Sequence, residues 1–147
     1  KEFIIKFDPD LRIIILNKTA KTAKDAAAAL NCEEGAIIKS LLFRADNTFL
    51  ICLIAGDKKC SLNKLKKLLE KKDVSMATAE EVKENTGFSI GGVAPIAHIE
   101  KLDIFIDRSL DRFQNVFGAA GHPNAVFQIR YNQLIKITNG LEKDISE

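Results

Sequence analysis

The sequence predicts an α+β fold: one mixed, largely antiparallel, curved sheet with flanking helices. Three observations predict it. Strand-like runs outnumber helix-like runs, and several are joined by short turns. No βα unit recurs at a regular period. One run, Ile37-Ile38-Lys39-Ser40-Leu41-Leu42-Phe43, is apolar on both strand faces, with Ile37, Leu41 and Phe43 on one and Ile38 and Leu42 on the other. Such a strand is a buried one, which places this run at the centre of the sheet. Lys39 lies in the middle of it, on the face of Ile37 and Leu41. Two readings of that lysine are open. It snorkels out at the strand end, or its amine lines a cavity and meets a carboxylate, phosphate or carbonyl.

The elements follow in order. Phe3–Phe7 and Leu11–Leu16 are β-rich runs around the turn residues Asp8-Pro9-Asp10 and read as a hairpin. Thr22 caps an alanine-rich helix that carries Asp25 in its first turn and stops near Asn31. The Lys39 strand runs from about 36 to 44. After the turn Ala45-Asp46-Asn47-Thr48, a second apolar strand, Phe49–Ala55, completes an antiparallel hairpin. Gly56-Asp57 breaks it. Ser61 caps a helix from Leu62 to about Glu70, with leucines 62, 65, 68 and 69 as its buried stripe. Val74–Ala77 is a short strand. Thr78 and Glu81 form a capping box for a helix that ends at Gly87. Leu102–Ile106 is a strand, and Ser109 starts a helical turn. Ala125–Tyr131 is a strand, and Asn132 caps a last helix that ends at Asn139-Gly140. The polar stretch Leu141–Glu147 is expected to fray.

A chain of 147 residues with 46% apolar content suits one domain, residues 1–147 together, with a sizeable core. A net charge of +2 excludes a global polyanion-binding signature. Cys32, Cys52 and Cys60 are odd in number and lack C-x-x-C spacing, which argues against a disulfide framework and a zinc ribbon. Cys52 reads as a small core residue, and a reducing, cytoplasmic compartment is expected. No apolar run approaches the ~18 residues of a membrane span, so no membrane partner is expected. The sequence opens at Lys1 without a methionine, consistent with further chain ahead of it.

Two glycine clusters are the next signal. Gly91-Gly92-Val93-Ala94-Pro95 makes a tight loop whose backbone N–H groups could hold a carboxylate, phosphate or oxyanion. A purely structural turn fits the same residues. Neither a P-loop nor a dinucleotide fingerprint is present. The second cluster is Gly118-Ala119-Ala120-Gly121-His122-Pro123-Asn124. There His122 is a second polar group able to converge on one pocket, or a merely exposed side chain. His98 is assigned no role. No metal-ligand cluster and no cofactor motif can be read. Ser40 adjoins Lys39 but points to the opposite face, so the two are not a Ser-Lys nucleophile pair. Residues 57–72 carry seven lysines against Asp57 and Glu70. Lys64, Lys67 and Lys71 share a helix face, read either as a solvated face or as a footprint for a phosphate backbone.

Six blocks in order resemble the YbaK/ProX family, the aminoacyl-tRNA deacylases related to the editing domain of bacterial prolyl-tRNA synthetase. They are Thr22-Ala23-Lys24-Asp25-Ala26-Ala27; Ile37-Ile38-Lys39-Ser40-Leu41; Ala55-Gly56-Asp57-Lys58-Lys59; Ala77-Thr78-Ala79-Glu80-Glu81-Val82; Gly91-Gly92-Val93-Ala94-Pro95; and Gly118 to Asn124. The resemblance runs from about Thr22 to Asn139. It implies a mixed sheet curving towards a barrel, and trans-editing of a mischarged tRNA, often tRNA-Pro, with prolyl-tRNA synthetase a possible partner. It implies catalytic roles for Lys39, for the Gly91, Gly92 and Pro95 loop, and for His122. Hydrolysis would use water assisted by the terminal adenosine 2′-hydroxyl, with no cofactor. The β-rich start departs from the helix with which family members often begin. A tRNA- or nucleotide-binding module without catalysis, and an interaction domain of a synthetase-associated assembly, are the competing readings.

Overall fold

The computed structural model describes residues 12–16, 22–88, 102–122 and 125–147, with backbone alone for Gly121 and His122. Strand β1 is Arg12–Ile15, helix α1 Ala23–Leu30, β2 Ile38–Ala45, β3 Thr48–Ala55, α2 Leu62–Leu69, β4 Val74–Met76 and α3 Ala79–Thr86. Then come β5 Asp103–Asp107, β6 Val116–His122, β7 Ala125–Ile129, α4 Tyr131–Thr138 and β8 Leu141–Lys143. Short 3-10 turns occupy Glu34–Ala36 and Arg108–Arg112.

The α+β class is borne out. Among the described residues the strands form two sheets, ordered β1-β7-β6 and β4-β2-β3-β5-β8, and no closed barrel. Pairing is antiparallel except for β3–β5 and β5–β8. The expected hairpin of β2 and β3 is present, with Asp46 left-handed in its turn (φ 53°). The centre of the sheet is β3, however, not the Lys39 strand. From Leu50 to Ala55 every residue of β3 is buried, whereas β2 carries Lys39, Ser40 and Arg44 and lies one place from the edge. Ile37 falls outside β2 and makes an isolated parallel bridge with Phe117.

Alternation along β2 and β3 separates two apolar layers. Ile38, Leu42, Ile51 and Leu53 pack with Ile106, Leu110, Phe127 and Leu134. Phe43, Leu50, Cys52 and Ile54 pack on the other face with Leu65, Phe105 and Ile145. Both faces of β2 are therefore covered, as its pattern predicts.

The helix boundaries follow local chemistry. Thr22 accepts from Asp25 N at 3.1 Å, and Asn31 ends α1 in the left-handed region. The Thr78–Glu81 capping box is complete, with bonds of 2.9 and 3.1 Å. Thr78→Ala is expected to lower the unfolding free energy by about 1 kcal/mol in urea titration. Ser61 caps α2, but only Leu65 of its leucines is buried. Leu69 is half-buried, and Leu62 and Leu68 are 37% and 41% exposed. Eight residues make barely two turns, so the narrow buried line excludes 62 and 68. The last helix is capped by Arg130 and starts at Tyr131, two residues ahead of the start expected from an Asn132 cap.

The final stretch does not fray. Leu141–Lys143 pairs in parallel with β5, Ile145 is fully buried, and Ser146 bridges to Cys60. A single buried apolar residue, Ile145, anchors it. The expected hairpin partner at Phe3–Phe7 lies outside the described residues. Leu11–Leu16 does contain a strand, β1, which pairs with β7. Among the described residues no helix is long and apolar enough to cross a membrane.

Candidate functional site

Strand β2 fixes the backbone of Lys39, pairing it with Ile54 of β3. On the other side of β2 the short strand β4 covers only Phe43–Ala45, so that ladder stops before Lys39. The lysine is half-buried on the face of Leu41 and Phe43. Its Nζ donates a hydrogen bond of 2.5 Å to the Lys58 carbonyl, at the start of the loop after β3. An ammonium has three donors. No carboxylate among the described residues lies at ion-pair distance from this one. Lys39 thus does not extend into bulk water, and no carboxylate among the described residues neutralises it.

The loop from Gly56 to Ser61 that receives this amine is built with little slack. Gly56 sits against the Glu34 carbonyl, which a Cβ would approach to 2.3 Å. The Arg112 guanidinium forks onto Asp57, with bonds of 2.8 and 3.1 Å, and lies over the Phe113 ring. The hydrogen bond from Arg112 holds the Asp57 carboxyl below its ordinary range and raises the guanidinium in turn. Lys58 N closes a turn on the Ala55 carbonyl at 3.0 Å.

Ser40, on the opposite face, has a buried hydroxyl with no hydrogen-bond partner among the described residues. An unmet buried polar atom costs about 1–3 kcal/mol. Ser40→Ala is therefore expected to leave the thermal midpoint unchanged or raise it.

The second glycine cluster is not a loop. Gly118 to His122 belongs to β6, which pairs with β7 and carries a register shift between Ala119 and His122. Alternate positions Val116, Gly118 and Ala120 are buried, where small size at 118 and 120 permits close packing. The bridge of Ile37 to Phe117 brings the start of this cluster beside the start of the Lys39 run. For His122 only the backbone is described, paired with Ala125. Gly91, Gly92 and Pro95 lie outside the described residues.

The lysine helix is partly engaged internally. Lys64 Nζ donates to Asp144 at 3.1 Å and to the Ser146 carbonyl at 2.7 Å. Lys71 does not share the helix face, because α2 ends at Leu69 and Glu70 turns left-handed; it pairs with Asp46 at 3.5 Å. Lys67 is exposed and makes no ion pair among the described residues.

Asp107 ends β5 and is 1% exposed. Its Oδ1 accepts from Ile145 N (2.9 Å) and Ser146 N (3.1 Å). Its Oδ2 accepts from Ser109 N (3.2 Å) and from the Ser109 hydroxyl. Burial pushes the carboxyl up, but the bonds from Ser109, Ile145 and Ser146 together outweigh it, and the net direction is down. A depressed carboxylate stabilises the fold above the unfolded value near 3.9 and loses that contribution as pH falls through the folded value. The stability gap between wild type and Asp107→Asn is expected to stay constant from about pH 8 to pH 5 and to narrow below about pH 4 in urea titrations. Sequence reading missed Asp57, Arg112 and Asp107 as a set. Asp57 was visible as a strand breaker, but Arg112 is 55 residues away and no local pattern joins them.

The profile described as an aminoacyl-tRNA editing domain matches residues 17–137. The chain belongs to the aminoacyl-tRNA editing domain family. The resemblance to YbaK/ProX proteins carried by the six blocks is thereby borne out. A proline–tRNA ligase of Kosmotoga olearia is 33% identical over 113 residues, 74% of this chain and 19% of that protein. The Bacillus subtilis uncharacterized protein YwhH is 33% identical over 117 residues, 79% of this chain and 74% of that protein. The editing-domain chain thus spans about a fifth of the length of the ligases it matches. A solved structure with the provisional description of a trans-editing enzyme for prolyl tRNA synthetase superposes with TM-score 0.93 at 32% identity. It covers 99% of this chain and 96% of that one.

Proposed function

We propose that this editing-domain protein hydrolyses the ester between a wrong amino acid and a tRNA, with tRNA-Pro the first candidate. The observation that carries the reading is the half-buried Lys39 ammonium, held by the Lys58 carbonyl and left without a protein carboxylate among the described residues. Water attacks the ester carbonyl, the bond to the terminal ribose oxygen breaks, and that oxygen takes a proton. The products are the free amino acid and the uncharged tRNA. Positive charge placed where negative charge develops lowers the barrier to this step. In this reading Lys39 supplies that charge, or meets the adjoining ribose-phosphate. The Gly91, Gly92 and Pro95 loop positions the aminoacyl ester. His122 orients the substrate or the water, and the terminal adenosine 2′-hydroxyl assists. The likeness to proline–tRNA ligases and to the structure described as a trans-editing enzyme supports the choice of tRNA-Pro and an association with prolyl-tRNA synthetase.

The test is release of amino acid from tRNA-Pro charged with alanine, cysteine or serine, measured against spontaneous hydrolysis. Release above that background supports the reading, and none across the panel would defeat it. The exposed lysines favour a second reading, a tRNA-binding module without catalysis. That module retains tRNA in a salt-dependent way and releases no amino acid. Neutralising Lys64, Lys67 and Lys71 together would abolish its retention. Because Lys64 and Lys71 already hold Asp144 and Asp46, Lys67→Ala alone is expected to flatten the salt dependence of tRNA retention by about one phosphate contact.

A further inference from the structure

Lys39 is held by a backbone carbonyl, so its position is only as fixed as the loop that carries that carbonyl. The loop is fastened on both sides of Lys58. Ahead of it, Asp57 receives the Arg112 fork at 2.8 and 3.1 Å. Behind it, Glu147 N donates to the Lys59 carbonyl at 2.9 Å, Cys60 bridges to Ser146, and Ser61 N donates to the Ile145 carbonyl at 2.7 Å. Ile145 and Ser146 are themselves held by Asp107 Oδ1. The two fastenings converge on one short piece of chain. Asp107 caps the 3-10 turn Arg108–Arg112 and Arg112 is its last residue, shaped by its own bond of 2.6 Å from Nε to the Ser109 carbonyl.

We infer that the Asp107–Arg112 turn is a clamp that positions the Lys39 ammonium, with Asp107 and Arg112 as positioning residues acting through the loop Asp57–Ser61. The inference deepens the deacylase reading and rests on it for its consequence in catalysis. Its geometric part stands without that reading. Close packing supports it, since a Cβ on Gly35 would lie 2.8 Å from the Phe113 ring and 2.9 Å from the Asp57 carboxylate. The Asp57–Arg112 pair thus has little room to shift. An arrangement that served stability alone could fasten the loop anywhere. This one fastens it on either side of the residue that holds the lysine.

The experiment uses the full chain and two readouts. One is the rate at which an amine-acylating reagent labels Lys39, read by peptide mass spectrometry against the exposed Lys24 of α1. The other is the split of kcat from KM on mischarged tRNA. Arg112→Met keeps an unbranched chain over Phe113 and removes the fork. Because Arg112 is exposed, this variant tests the clamp without endangering the fold. In it, labelling of Lys39 rises several-fold while Lys24 is unchanged, and kcat falls about tenfold or more at nearly constant KM, as expected when a catalytic group is displaced. Asp107→Ala gives the same pair of changes. Asp107→Asn keeps the acceptor for Ile145 N and Ser146 N and restores most of the protection. Unchanged Lys39 labelling in folded Arg112→Met overturns the inference, whatever happens to stability. If wild type releases no amino acid from any tRNA but the labelling responds as stated, the deacylase reading has failed and the clamp has not.

Discussion

Lys39→Ala is expected to reduce ester hydrolysis at least about 100-fold, the scale of losing one preorganised electrostatic contact to a transition state. The fold should tolerate the change. The side chain is half-buried and its partner among the described residues, the Lys58 carbonyl, sits in a loop held by Arg112 and by residues 145–147. Far-ultraviolet circular dichroism and the thermal midpoint should therefore stay close to wild type while single-turnover release of amino acid collapses. Lys39→Arg separates charge from shape. A guanidinium is larger and planar, and the space beside Lys58 is set for an ammonium. Arginine should recover little of the lost rate. Full recovery would show that any cation serves and that placement is immaterial.

The second large effect is on the loop itself. Gly56→Ala puts a methyl group 2.3 Å from the Glu34 carbonyl and 2.8 Å from the Ala23 side chain. The first contact is with backbone and cannot be relieved by a rotamer. Either the 3-10 turn at Glu34–Ala36 moves or the loop does. A cost of about 1–3 kcal/mol or more is expected in urea titration, as for overpacking elsewhere. The loss of activity should exceed what the unfolded fraction explains, because the displaced loop carries the Lys58 carbonyl. Activity falling only in proportion to the folded fraction would argue that the loop does not place the lysine.

Much of this was legible in the sequence for definite reasons. Period-two alternation with apolar residues on both parities gave the β2–β3 hairpin, and cap residues gave the ends of the helices at Thr22, Asn31, Ser61, Thr78 and Gly87. What was not legible depends on distant partners. The order of strands made β3 the centre, because continuous apolar content outweighs a pattern broken by Lys39 and Ser40. Ile145 could not be read as an anchor in a polar stretch until its partner layer of Phe105, Leu65 and Cys52 was assembled. Gly118 to Gly121 looked like a loop because glycine favours turns, yet the same lack of a side chain also suits a closely packed strand. In the site, Lys39 stood out because an ammonium is costly among aliphatic residues. The Asp57–Arg112 fork and the Asp107 clamp left no such mark, since charged residues at element ends are ordinary.

Tyr131 shows the same limit on a smaller scale. It opens α4 as an apolar body, and its hydroxyl donates to Glu142 of β8 at 2.6 Å. Burial, then that carboxylate, pushes the phenol well above its ordinary value. The pair ties the last helix to the edge strand of the sheet that carries Lys39. Sequence spacing gave no hint of it.

In a deacylase of this design, substrate is met at the Lys39 ammonium. The direct measurement is acylation of Lys39 with and without a saturating non-hydrolysable aminoacyl-adenosine analogue, its binding verified independently by calorimetry. The bound analogue is expected to slow labelling of Lys39 strongly and to leave that of Lys24 unchanged. Equal labelling of Lys39 in the free and fully bound protein would contradict that contact.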